Sequence, residues 1–209
     1  MLDAKITPKL TPLLTPTVKL LINKGIKSNQ ITIVGFIIGL MAAIAISLSY
    51  FWFGLIGIMI NRLCDGLDGA LARTLKEDTP SGGFLDICLD FLFYASIPVA
   101  FAIASPTENA LSAAILLMTF IGTGSSFLAF AIHAETFKLD RPQFAYKSFY
   151  YLNGLTEGTE TILFFCAFCI FPAYFSLLAL IFAFLASITI FTRIYFGFKT
   201  IQSKERSLK

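Results

Sequence analysis

The sequence predicts an all-α integral membrane protein with six transmembrane helices, preceded by an amphipathic helix at the membrane surface. Three observations carry this reading. The chain has 209 residues, of which 56% are hydrophobic and only 14% charged, and 23 of them are Phe. That lies far outside the composition of a water-soluble domain. Apolar runs of about 20 residues, the length that crosses a bilayer core, recur along it. All 16 Lys and Arg fall in four segments: ahead of the first run, around the second-to-third connection, in the fourth-to-fifth connection, and at the end. Basic residues collect on the cytoplasmic side, so both termini are expected there and the number of spans must be even.

In chain order, residues 1–30 read as a cytoplasmic juxtamembrane segment containing Pro8, Pro12 and Pro16. It has no apolar core followed by a small-residue cleavage site, so no cleavable signal peptide is expected. From about Pro16, Val18, Leu21 and Ile22 share one face while Lys19, Asn23 and Lys24 point elsewhere. That pattern suits an interfacial helix with its lysines near anionic headgroups. The predicted spans are Ile31–Tyr50, Phe51 to about Leu75, Phe84–Ala104, Leu111–His133, Leu155–Tyr174 and Phe175–Phe198. Together they make a membrane domain over residues 31–199, and residues 200–209 form a cytoplasmic tail. Cys64, Cys88, Cys166 and Cys169 all lie in predicted helices and read as small apolar residues. The Cys166–Cys169 pair lacks a second ligand pair, which argues against zinc.

Residues 65–90, DGLDGALARTLKEDTPSGGFLDICLD, set charge between apolar segments, where an ionised side chain is costly. Asp65 and Asp68 are three apart and share a helix face, which Gly69 and Ala72 continue with almost no side chain. Gly82, Asp86 and Asp90 are each four apart and make one stripe on the next helix. A short connection, Lys76–Ser81, makes the two helices neighbours, so the stripes are expected to meet. Four converging carboxylates need compensation, either by protonation or by cations. Oxygen-only ligands suit Mg²⁺ or Mn²⁺, and four carboxylates suffice for two ions sharing ligands. Small neighbours leave room for a bulky substrate, and Arg73 offers a cation to phosphate oxygens. An ion or proton transporter using the same aspartates, or a non-catalytic membrane scaffold, are the readings of a different class.

The pattern D-x2-D-G-x2-A-R-x8-G-x3-D-x3-D resembles the signature of the CDP-alcohol phosphotransferases, membrane enzymes of phospholipid synthesis. It is complete here as Asp65, Asp68, Gly69, Ala72, Arg73, Gly82, Asp86 and Asp90. A P-N-x-I-T-like element before the first span is matched by Ser28, Asn29, Gln30, Ile31 and Thr32, with Ser in place of Pro. The resemblance implies two divalent cations, Mg²⁺ or Mn²⁺. Asp65, Asp68 and Asp86 would hold the first and Asp65, Asp86 and Asp90 the second, with Asp90 the general base. It also implies that Ser28, Asn29, Gln30, Ile31, Gly69, Ala72, Arg73, Thr79 and Gly82 form the site for the CDP moiety. The expected reaction transfers a phosphatidyl group from CDP-diacylglycerol, or a related CDP-lipid, to a small polar alcohol, releasing CMP. A homodimer in the bacterial inner membrane, surrounded by lipid and with no nucleic-acid partner, is the family expectation.

The acceptor is less legible. Glu157 and Glu160 are three apart at the start of the fifth run and read either as hydrogen-bond partners for acceptor hydroxyls or as helix caps. Lys138, Arg141 and Lys147 either take a phosphorylated acceptor or only mark the cytoplasmic side, and Arg193 either snorkels or reaches the acceptor; glycerol 3-phosphate is the first expectation, with serine or inositol phosphate open. His133 reads as an interfacial or packing residue.

Overall fold

The computed structural model describes residues 14–75, 79–137 and 156–207, and among these every long element is a helix. The first, α1, covers residues 14–23, two residues ahead of the expected start. Its Val18 is buried, and Leu14, Leu21 and Ile22 pack with it against Ile31, Leu67 and Leu71. Helix α1 thus packs against the start of the next helix and the signature-bearing half of the one after it.

Helix α2 runs Ser28–Ser47, and Lys27 N–H donates to Gln30 Oε1 across 2.9 Å at its start. The Ser-Asn-Gln element is therefore the first turn of a helix, three residues earlier than hydropathy alone suggested. At the other end Ser49 takes a positive φ of 66°, and Tyr50 N–H reaches back to Ala45 O at 2.8 Å. That left-handed turn closes the helix and sends α3, Phe51–Leu75, straight back beside α2.

Helix α4 spans Pro80–Ala104 and begins where its sequence says it should. Thr79 is the N-cap, its Oγ1 accepting from Gly82 N at 3.2 Å, and Pro80 occupies the first turn, where no N–H is needed. Thr79 lies in the α3–α4 connection as expected, as its last residue, and Pro80 and Ser81 already belong to α4. Helix α5 is Pro106–Thr136, α6 is Gly158–Ile170, and a 3₁₀ turn, Pro172–Tyr174, leads into α7, Phe175–Ser207. The last helix continues well past the expected end at Phe198.

Helix α2 packs on both α3 and α4, α4 on α5, α5 on α7, and α3 on α6. A seam of small residues brings α2 close to its neighbours. A Cβ on Gly35 would stand 2.7 Å from Cys64 Cβ, one on Gly39 2.6 Å from the Phe93 ring, and one on Gly57 2.6 Å from Ala42 Cβ. Below the seam is a core of Phe93, Phe101, Phe165, Phe168, Phe175 and Phe182, with Phe101 and Phe175 stacked at 4.5 Å between centroids. The small residues of α5 serve the same end within the protomer: Gly122 lies against Ile190 and Gly124 against Phe91.

Four helices are long and apolar enough to cross a membrane: Ser28–Ser47, Pro80–Ala104, Pro106–Thr136 and Pro172–Arg206. Met41, Trp52, Phe53, Leu111, Ile121 and Phe191 all point outward with most of their surface exposed, as suits lipid rather than water. The expectation of six spans is reduced at two places. Helix α3 carries Arg62, Asp65, Asp68 and Arg73 in its second half, and α6 has only 13 residues because Pro172 breaks the apolar run. Among the described residues six helices of 13 residues or more follow α1, and length and apolarity alone qualify four of them as spans.

Candidate active site

The four signature aspartates meet in one cleft between α2, α3 and α4. It is lined by Thr32, Gly35, Phe36, Asn61, Arg62, Leu89 and the four aspartates, Asp65, Asp68, Asp86 and Asp90. Close approach at Gly35 and Gly39 is what allows three helices to share so narrow a space.

Each carboxylate has its own surroundings. Asp68 is buried, and its Oδ2 accepts from Thr32 Oγ1 at 2.6 Å. The Asp68 carbonyl accepts from Ser28 Oγ at 2.9 Å, so the first turn of α2 grips both ends of this residue. Asp90 Oδ1 accepts from Arg62 Nη2 at 2.7 Å, and Asp65 Oδ2 lies 3.6 Å from Arg62 Nη1. Asp86 lines the cleft between them. Sequence reasoning treated Arg62 only as part of a basic flank. It is in fact inside the site, its side chain 15% exposed.

The donor set fits a hard divalent cation, since four carboxylates with no sulfur or imidazole surround one cleft. As the side chains stand, no three such groups among the described residues close on one point. Two of the four carboxylates turn toward Arg62 and a third toward Thr32.

The residues expected at the CDP moiety fall in two groups outside the lining of the cleft. A Cβ on Gly82 would lie 3.2 Å from both Asn29 Oδ1 and Thr79 Oγ1, so the starts of α2 and α4 converge there. Gln30 is occupied in closing the first turn of α2, and Ile31 is buried against α1. On α3, Arg73 is exposed and its guanidinium lies back over Gly69, 3.1 Å from where a Cβ would be; Ala72 is half-buried beside it. A backbone open at two glycines with an arginine at one side can admit a pyrophosphate.

The acceptor candidates divide. Lys138, Arg141 and Lys147 lie outside the described residues. Glu160 Oε2 accepts from Glu157 N–H at 3.2 Å, the reciprocal half of a capping box that opens α6. Arg193 on α7 is 9% exposed, donates from Nη1 to Thr123 O at 3.2 Å, and has the Phe127 ring 6.0 Å away. His133 is exposed near the end of α5. Thr156 and Thr189, buried and 3.0 Å apart, link the start of α6 to α7. Neither has a sequence signal beyond being polar in an apolar run.

Comparison with known proteins agrees with the geometry. The CDP-alcohol phosphatidyltransferase family profile matches residues 26–191. The chain is 52% identical over 206 residues to the inner membrane protein YnjF of Escherichia coli strain K12, covering 99% of this chain and all of that one. It is 39% identical over 94 residues to the archaetidylinositol phosphate synthase of Pyrococcus horikoshii, covering 45% of this chain and half of that protein. The fold matches that of phosphatidylinositol phosphate synthase PgsA1 from Mycobacterium tuberculosis. With CDP-DAG bound, that structure gives a TM-score of 0.72 at 20% identity over 89% of this chain and 94% of the other. A second structure of it, with manganese and citrate, gives 0.71 at 19% identity over 88% of each.

Proposed function

This chain belongs to the CDP-alcohol phosphatidyltransferase family, and we propose that it moves a phosphatidyl group from CDP-diacylglycerol to a phosphorylated polyol, releasing CMP. As a member of that family it is a transferase of substituted phosphate groups in a membrane. One observation carries the finer reading: all four signature aspartates line a single cleft between α2, α3 and α4. The lipid donor is further supported by the CDP-DAG bound in the structural relative.

In the reaction, the acceptor hydroxyl oxygen forms a bond to the phosphorus that carries the lipid, and the bond from that phosphorus to the CMP oxygen breaks. The acceptor proton passes to Asp90, which holds one oxygen on Arg62 and keeps the other for this task. Asp65, Asp68 and Asp86 complete the ligand set, with Thr32 fixing Asp68. Divalent cations held there would neutralise the pyrophosphate and the charge developing on departing CMP. Asn29, Gly69, Arg73 and Gly82 position the nucleotide end of the donor, and the outward apolar faces leave its acyl chains in lipid.

A phosphorylated polyol is the acceptor in this reading, supported by the buried cation Arg193 at the α5–α7 contact and by the names of two similar proteins, which are synthases of inositol phosphate lipids. Glycerol 3-phosphate and inositol phosphate are the two to test first. Both termini and the cleft face the cytoplasm in this reading, in an inner membrane like that of the bacterial relative, with α3 and α6 completing six spans. Pairing of two copies is carried over from the family, and crosslinking in native membranes tests it.

The deciding experiment incubates purified protein with CDP-diacylglycerol, Mn²⁺ or Mg²⁺, and a panel of alcohols, and measures CMP. Release with a phosphorylated polyol alone is the expected result. Folded protein that releases no CMP with any acceptor and either cation would overturn the proposal.

A further inference from the structure

Arg62 is built into the cleft more firmly than a passing counter-ion would be. Its Nε donates to Asn61 Oδ1 at 2.8 Å, its Nη1 to Tyr94 Oη at 3.1 Å, and its Nη2 to Asp90 Oδ1 at 2.7 Å. The guanidinium carbon lies 4.9 Å from the centre of the Phe93 ring and 5.3 Å from that of Tyr94. Asn61, 4% exposed, is itself anchored by donating to Gly35 O at 2.8 Å. Groups from α2, α3 and α4 therefore fix this cation, and an arginine fork held this way has little freedom to leave.

Its placement divides the carboxylates into unlike pairs. Asp90 and Asp65 face a fixed positive charge at 2.7 and 3.6 Å, whereas Asp68 is held by a neutral hydroxyl. We propose that Arg62 is a positioning residue that weakens and orders cation binding in the cleft: it claims one oxygen of Asp90 and shares Asp65. This rests on the proposed metal-dependent function. A cation reaching the site through Asp65 or Asp90 has to share those carboxylates with a guanidinium and is repelled by it. A cation reaching it through Asp68 and Asp86 meets less opposition. Two ions are then held unequally, and the weaker one is the one that depends on Asp90.

The test is Mn²⁺ binding to purified protein without substrates, read as free Mn²⁺ by electron paramagnetic resonance, for wild type, Arg62→Gln and Arg62→Lys. Arg62→Gln should tighten the weaker Mn²⁺ by about tenfold or more, the scale on which partners of metal ligands act. Its thermal midpoint in EDTA should fall below wild type and recover when Mn²⁺ is added. Arg62→Lys keeps a charge but cannot span both carboxylates, so its weaker site should tighten by a smaller factor. A folded Arg62→Gln with unchanged or weaker Mn²⁺ affinity overturns the inference. Should that variant not fold, Arg62→Lys decides alone, and an affinity equal to wild type overturns it. Wild type that binds no Mn²⁺ strikes instead at the metal-dependent function itself.

Discussion

The hydroxyl of Thr32 donates to Oδ2 of Asp68 across 2.6 Å, joining the first turns of α2 to the middle of the signature on α3. The same hydroxyl also reaches Ser28 O at 3.2 Å, so its direction is set by its own helix before it meets the carboxylate. Thr32→Val keeps the branched shape and removes this hold. Turnover at limiting Mn²⁺ should fall by about tenfold, the low end of what partners of metal ligands contribute. At saturating Mn²⁺ most of the loss should be regained. A variant equally slow at every Mn²⁺ concentration would show that Thr32 acts on something other than cation binding.

Asp90 and Asp65 separate base from ligand. If Asp90 takes the acceptor proton, Asp90→Asn should lower kcat by roughly 10²- to 10⁴-fold, the range for a positioned base. CDP-diacylglycerol should still bind, as measured by retention of labelled lipid. Asp65→Ala should abolish turnover and weaken Mn²⁺ binding together, since both proposed ions use it. Normal turnover by Asp90→Asn at any pH would remove it from the base role.

Much of this site was legible before any coordinates. Spacing of three and four residues placed Asp65 with Asp68 and Asp86 with Asp90, and a short connection made the two pairs neighbours. Arg62 lies three residues before Asp65 and so shares its face by the same spacing, but its bond to Asp90 was hidden because periodicity describes one helix at a time. Which carboxylate on α4 faces Arg62 depends on the axial register between α3 and α4, set by packing at Gly35, Gly39 and Phe93. Thr32 escaped for the same reason, as a hydroxyl whose partner is 36 residues away. The break between the fifth and sixth runs was expected at Tyr174, but its extent was not: α6 covers only Gly158–Ile170, because Pro172, lacking an N–H, ends the helix a turn early.

Two glycines make a contrasting pair. A Cβ at Gly39 would stand 2.6 Å from Phe93, a ring with no exposed surface between three helices. Gly39→Ala should therefore destabilise the protein by about 1–3 kcal/mol, as overpacking does, seen as a lower thermal midpoint in detergent. At Gly82 the nearest atoms are the ends of two side chains, Asn29 and Thr79, both at 3.2 Å, which can yield. Gly82→Ala should keep its thermal midpoint and raise the KM for CDP-diacylglycerol, because it adds a methyl where the proposed nucleotide residues Asn29 and Thr79 converge. Equal melting losses in both variants would mean that Gly82 serves packing and not the donor.

Glu160 and Arg193 were both candidates for the acceptor, and their surroundings now assign them different outcomes. Glu160 closes the first turn of α6 through Glu157 N–H, so Glu160→Gln keeps an accepting oxygen and should change neither KM. Arg193 is buried at the contact of α7 with α5, where its Nη1 donates to Thr123 O. Arg193→Gln should raise the KM for a phosphorylated acceptor by about tenfold or more, since a hydrogen bond to a charged group contributes roughly 1.5–3 kcal/mol. The KM for CDP-diacylglycerol should stay unchanged. A lower thermal midpoint with no change in either KM would make the bond to Thr123 O a tie between α5 and α7 and return acceptor recognition to the α5–α6 connection.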